Sequence, residues 1–190
     1  TRNGLLDAED PRSGIFAEGG AGQRLEIWDS AIESNRALGI EATNWGGIIE
    51  LHRTSVSSNR ADGVRSRRAE RVIFEDIELS RNLSRGAELS STTVEMWTTT
   101  ATDNVAGGAW MGDGARVAVD MSHFIGNGLV LSETALATVR NSEFRSTGVA
   151  LSVISAAPQI VGNLFQANTT AIRVDGSAVP SSILDNTFTR

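Results

Sequence analysis

Three charged residues could do chemistry together if the fold brought them to one surface. Glu41, Arg65 and Glu88 follow one another at intervals of 24 and 23 residues. If each interval is one turn of stacked strands, the two carboxylates lie two strands apart, about 10 Å, with the guanidinium between them. Inverting glycosidases hold two carboxyls roughly 6.5–9.5 Å apart, one as acid and one as base for water. An arginine between them could hold a uronate carboxylate, or act as the base of a lyase. The same line runs Phe16, Glu41, Arg65, Glu88, Trp110, Val130, Ala150, Arg173. Its aromatic members, Phe16 and Trp110, suit stacking on sugar rings. The plainer reading is a cross-strand charge ladder, worth roughly 0.2–1 kcal/mol per pair.

A second line carries Trp28, His52, Glu75, Trp97, Asp120 and Arg140, with Glu26, Glu50, Ile73 and Glu95 two residues earlier in their units. Trp28, His52 and Trp97 are candidate saccharide contacts. The carboxylates are the oxygen ligands calcium prefers, so calcium is the one cofactor left open. The alternative is a solvated face. His52 and His123 fall in different columns, which argues against zinc. The chain has no cysteine, which removes disulfides and thiolate metal sites. Arg65, Arg67, Arg68 and Arg71 form the one basic run, expected in a turn after a strand. It could contact an acidic polysaccharide, or be a solvated loop. The glycines from Gly107 to Gly114 lack a following Lys-Ser/Thr, so they form no phosphate loop.

These lines exist only because the sequence repeats. One apolar anchor recurs as Ile32, Val56, Leu79, Ala101, Phe124, Phe144, Phe165 and Phe188, every 20 to 24 residues. Three residues later come Asn35, Asn59, Asn82, Asn104, Asn127, Thr147 and Asn168, followed by a glycine turn. The turn shortens in two later units, at Asn127-Gly128 and Thr147-Gly148. Five residues before the anchor stand Ile27, Leu51, Phe74, Met96, Val119, Val139, Ile160 and Ile183. Further apolar positions spaced by two flank each turn, which is strand alternation. Each unit therefore holds three short strands and no helix.

The spacing predicts an all-β chain. It would be a single-stranded parallel β-helix, or β-solenoid, of about eight rungs of 20–25 residues, with like residues stacked on like. The asparagines would form an internal hydrogen-bonded ladder. One domain would cover residues 1–190, with 1–13 an irregular N-terminal segment. Asn3 would fall on the ladder column. Both ends lie at nearly the same phase of the repeat. The expectation is a stretch of a longer helical chain, or a unit that stacks end to end.

Units such as Gly148 to Leu151 followed by Ile160 to Phe165 resemble the right-handed parallel β-helix repeats of the pectate-lyase-like superfamily. The resemblance covers the chain from about Gly14 to Arg190 and implies the right hand. It also implies that any enzyme would work on the outer face of the strand after the glycine, where Glu41, Arg65 and Glu88 fall. The superfamily includes polysaccharide lyases, hydrolases and non-catalytic surface proteins. The polygalacturonase-like Asn-Thr-Asp and Gly-His-Gly motifs and the Asp-Pro-His motif of alginate epimerases are absent, as is any lysine.

A net charge of −6 argues against nucleic acid, which needs a basic surface. No apolar run is long enough to insert in a membrane. All 17 positive charges are arginine, a bias that suggests a GC-rich bacterial source. The leading expectation is a non-catalytic β-helix domain of a bacterial secreted or cell-surface protein. It would be a rigid spacer, or a glycan-binding or adhesive face. The alternatives are a polysaccharide lyase or glycoside hydrolase on an acidic polysaccharide, and an end-to-end assembly unit.

Overall fold

The structure, a computed structural model, describes residues 13–177 and 179–190. Alternating apolar and polar residues make strands that bury one face. The 24 strands of the described residues fall into three sheets of eight, here called A, B and C. The chain visits them in rotation. Ile15–Glu18 lies in sheet A, Arg24–Trp28 in B and Ala31–Glu33 in C; Ile40–Thr43 then returns to A beside the first strand. Each pairing is parallel and joins a strand to its equivalent one turn later. The described residues thus form a parallel β-helix of eight rungs. Ile27, Leu51, Phe74 and Met96 stand in register and are all buried.

The anchor column ends in a stack of rings. Phe124, Phe144, Phe165 and Phe188 lie nearly parallel, with centroids 4.9, 5.0 and 5.1 Å apart. That separation matches the roughly 4.8 Å between neighbouring strands, so the rings stack without tilting the rungs.

Two polar ladders hold the corners. Between sheets C and A, the Asn59 side-chain oxygen accepts the Asn35 backbone N–H at 3.1 Å and its side-chain amide at 2.8 Å. Asn82 and Asn104 repeat the pattern. A second ladder, between B and C, was not foreseen. Ser122 accepts the Thr99 N–H at 3.2 Å, Ser142 that of Ser122 at 3.1 Å, and Asn163 that of Ser142 at 2.9 Å. Just before this ladder the chain turns through left-handed residues, including Asp29, Arg53, Asp76, Thr98, Met121 and Asn141. Such a backbone costs roughly 1–2 kcal/mol per non-glycine residue. Cross-rung bonds such as Asp29 N–H to the His52 carbonyl at 3.1 Å offset it.

Glycines precede sheet A because rungs meet closely there. A Cβ on Gly63 would lie 2.6 Å from the Gly86 carbonyl oxygen. On the seventh rung the spacing misleads. Sheet A pairs Leu129 with Leu151, and Val130 with Ser152. Ser152, not Ala150, is therefore the outward residue. Ala150 is buried and takes the glycine's place, while Gly148 sits two residues upstream. The basic run also departs from expectation. Arg67 lies with Arg65 in the sheet-A strand Val64–Arg67 rather than in a turn, and Arg71 opens the next sheet-B strand. The irregular segment expected over 1–13 falls, apart from Ser13, outside the described residues, as does Asn3.

Candidate functional site

On sheet A the register places Phe16 beside Glu41, Glu41 beside Arg65, Arg65 beside Glu88 and Glu88 beside Trp110. The predicted line is therefore brought together, but its charges are already engaged. Arg85 Nη1 donates to Glu88 Oε2 at 2.7 Å and Arg67 Nη2 to Oε1 at 3.0 Å, while Arg65 Nε lies 3.7 Å away. Glu88 is itself buried. Arg65 binds mainly to Asp62, with Nη2 at 2.6 Å and Nε at 3.1 Å. Glu41 accepts a hydrogen bond from Ser13 Oγ at 2.7 Å.

Asp62 was missed by sequence reading, although it immediately precedes a turn glycine. Its side chain is fully buried, and its Oδ1 accepts the Arg85 N–H at 2.9 Å. Burial pushes its pKa up. Hydrogen bonds from Ser84 and Arg85, with the Arg65 charge, outweigh burial and hold it below the usual range.

Trp110 lies along its own strand. Its indole covers Gly112, where a Cβ would fall 2.1 Å from the ring. The Arg85 guanidinium is 5.8 Å from the Trp110 ring centroid. The glycine is what lets the ring lie against the sheet. Phe16, on the first rung, is exposed.

On sheet B the second line is also in register, from Trp28 through His52, Glu75 and Trp97 to Asp120. Trp28 stacks on His52 with centroids 3.7 Å apart, and Arg53 lies over Trp28 at 5.3 Å. His52 is buried; its Nδ1 is 2.8 Å from Glu75 and its Nε2 3.5 Å from Glu50. Arg24 donates to Glu50 at 2.6 Å. That bond holds the Glu50 pKa below its ordinary value against burial, helped by His52. Glu95 pairs with Arg71, and Asp120 with Arg140. Trp97 is half-buried between Glu75 and Asp120 in the register. The acidic face is therefore threaded with arginine. No group of three or more His, Cys, Asp or Glu able to hold a metal occurs among the described residues.

Sheet B also carries a groove that the sequence did not announce, of about 390 Å³. The outward line of Glu26, Glu50, Ile73 and Glu95 shrinks to Ala118 and Thr138 before Gln159. Small side chains there leave a trough, flanked by Arg116 and Leu136 in the next outward row.

The family model described as right-handed β-helix region matches residues 3–144 and 44–188. The chain belongs to the right-handed β-helix family. No curated protein and no solved structure matches the chain. The membership gives the coil its right hand and agrees with the pectate-lyase-like resemblance.

In this β-helix the predicted residues divide into two separate surfaces. Glu41, Arg65, Glu88, Trp110 and Phe16 belong to sheet A; Trp28, His52 and Trp97 belong to sheet B. Both oxygens of Glu88 are engaged by arginine donors. What the sheet-A surface offers is a fixed ring beside fixed N–H donors.

Proposed function

We propose that this chain is a non-catalytic β-helix domain of a bacterial secreted or cell-surface protein, a rigid spacer that presents a glycan-binding face. The observation that carries the reading is the clamping of Glu88 by Arg67 and Arg85, with Arg65 close by. A general acid or base must come within hydrogen-bond reach of a substrate proton. Arg67 and Arg85 instead occupy one oxygen each of the buried Glu88 carboxylate. The ring of Trp110, held by Gly112 and Arg85, supports sugar contact, since an aromatic face offers apolar area with little entropy to lose. The ladders support the spacer role, because they tie each rung to the next at one corner or both.

A glycan array probed with the whole chain tests the reading, alongside an assay for new reducing ends or unsaturated products from acidic polysaccharides. The expected result is glycan retention with no product formed. Product formation that disappears in Glu88→Gln, in a protein that remains folded, would establish an enzyme instead. An array without hits would remove the glycan-binding face.

A further inference from the structure

The sheet-B groove takes the glycan reading further and rests on it. We propose that this groove is a binding site for a linear oligosaccharide bearing an anionic group, carboxylate or sulfate, that docks on Arg116.

The shape sets the length of the ligand. The lining runs from Thr93 on the fourth rung to Ser181 before the last sheet-B strand. Four rung steps are about 19 Å by strand spacing, so the trough follows the rod axis and suits an extended chain. Its volume, about 390 Å³, falls within the roughly 300–1,000 Å³ of small-molecule sites.

The lining sets the chemistry. Thr93, Thr138 and Gln159 supply hydroxyls and an amide for hydroxyl-rich rings. Leu136 is exposed and, with Ala118, gives an apolar surface for the C–H face of a sugar. Glu95 is neutralised by its pair with Arg71. Arg116 stands exposed on the sheet, and among the described residues no hydrogen bond or ion pair engages its guanidinium. A free guanidinium fork is matched to a carboxylate or sulfate, which it can bind through two parallel N–H donors. A peptide strand fits less well. These strands are interior to the sheet, with their backbone groups paired on both sides, so no edge is open to strand addition.

Calorimetric titration of the whole chain with an oligoglucuronate, a sulfated oligosaccharide and a neutral cello-oligosaccharide tests this. At least one anionic ligand should bind tenfold or more tightly than the neutral one, and the two anionic arms show which group is preferred. Arg116→Gln should abolish that preference. Ala118→Trp should fill the groove from its floor and weaken binding at least tenfold, with an unchanged thermal melt as the folding control. Thr138→Trp fills the same space from the next rung if the first variant does not fold. Val105→Ala, exposed in the turn between sheets C and A, should leave these affinities alone. Binding lost in Trp110→Ala but kept in both groove-filling variants would overturn the site while leaving the glycan reading intact. Equal affinity for neutral and anionic ligands would overturn the ligand class. No binding by any saccharide would overturn both.

Discussion

The Asn82 side-chain oxygen accepts two hydrogen bonds from Asn59, one from its backbone N–H at 3.1 Å and one from its side-chain amide at 2.9 Å. Asn82 in turn donates to the Val56 carbonyl at 3.0 Å and to Asn104 Oδ1 at 2.9 Å. All of this is buried. Asn82→Ala therefore orphans polar groups on both neighbouring rungs. Each unsatisfied group costs roughly 1–3 kcal/mol, so the variant should lose about 2–5 kcal/mol in urea unfolding. Asn168→Ala, in a part-buried position, should lose less.

The phenylalanine stack is the second structural test. Phe144 has a ring partner on each side and is fully buried. Phe144→Ala should cost about 3–5 kcal/mol, as large-to-small core changes do. Phe144→Leu, which refills most of the space, should cost markedly less. Equal losses in the two variants would show that volume is not what the stack supplies.

Gly63 and Gly148 make a contrasting pair. A Cβ on Gly63 meets the Gly86 carbonyl at 2.6 Å, whereas one on Gly148 meets nothing within 4 Å. Gly63→Ala should destabilise by about 1–3 kcal/mol through overpacking. Gly148→Ala should be neutral, or stabilise by about 0.4–1 kcal/mol by restricting the unfolded chain. Thermal melts of the two variants check both signs.

That pair also marks where the sequence could be read and where it could not. The stacked columns were legible because a coil forces like residues over like, so Ile27, Leu51, Phe74 and Met96 announced themselves. Thr147-Gly148 imitates the Asn127-Gly128 turn, but the true turn position passed to Ala150, whose methyl group carries no turn signature. The B–C ladder stands two residues before each anchor, yet it changes between Ser, Thr and Asn and is interrupted by buried Ile77, which hid it. The line of Glu41, Arg65 and Glu88 was legible as a line. Its electrostatics were not, because Arg67 and Arg85 reach Glu88 from two rungs by side-chain geometry that no spacing records. The groove was hidden for a related reason: it is made by what Ala118 and Thr138 lack.

Acid should unfold the protein partly through Asp62. Its folded pKa lies below the usual value, and the unfolded value is about 3.9. The folded state therefore binds fewer protons, and the stabilisation is fully present above pH about 4. It is lost as pH falls through the folded value. Glu50 and Asp29, lowered by Arg24 and Arg53 respectively, act with the same sign. Asp62→Asn should be less stable than the parent at pH 7 by about 1–3 kcal/mol, and should lose less on acidification. Denaturant titrations at a series of pH values from 7 to about 2 would show the two curves converging; parallel curves would remove Asp62 from the account.

Glu88 separates the structural from the catalytic account of the sheet-A face. If it serves to hold Arg65, Arg67 and Arg85 together, Glu88→Ala leaves three guanidiniums facing one another without their shared acceptor. Arg67 is largely solvent-exposed, so solvent screens part of the repulsion, and the expected loss is about 1–2 kcal/mol. Adding salt should shrink the gap between variant and parent, because screening relieves the variant and weakens the parent's pairs. The Trp110 ring should also lose its fixed position, since Arg85 is held both over the ring and against Glu88. Acrylamide quenching of tryptophan fluorescence, compared with a Trp110→Phe background, would report that loosening. A stability unchanged by the substitution, at low salt and with quenching unaltered, would mean that Glu88 is not what orders this surface.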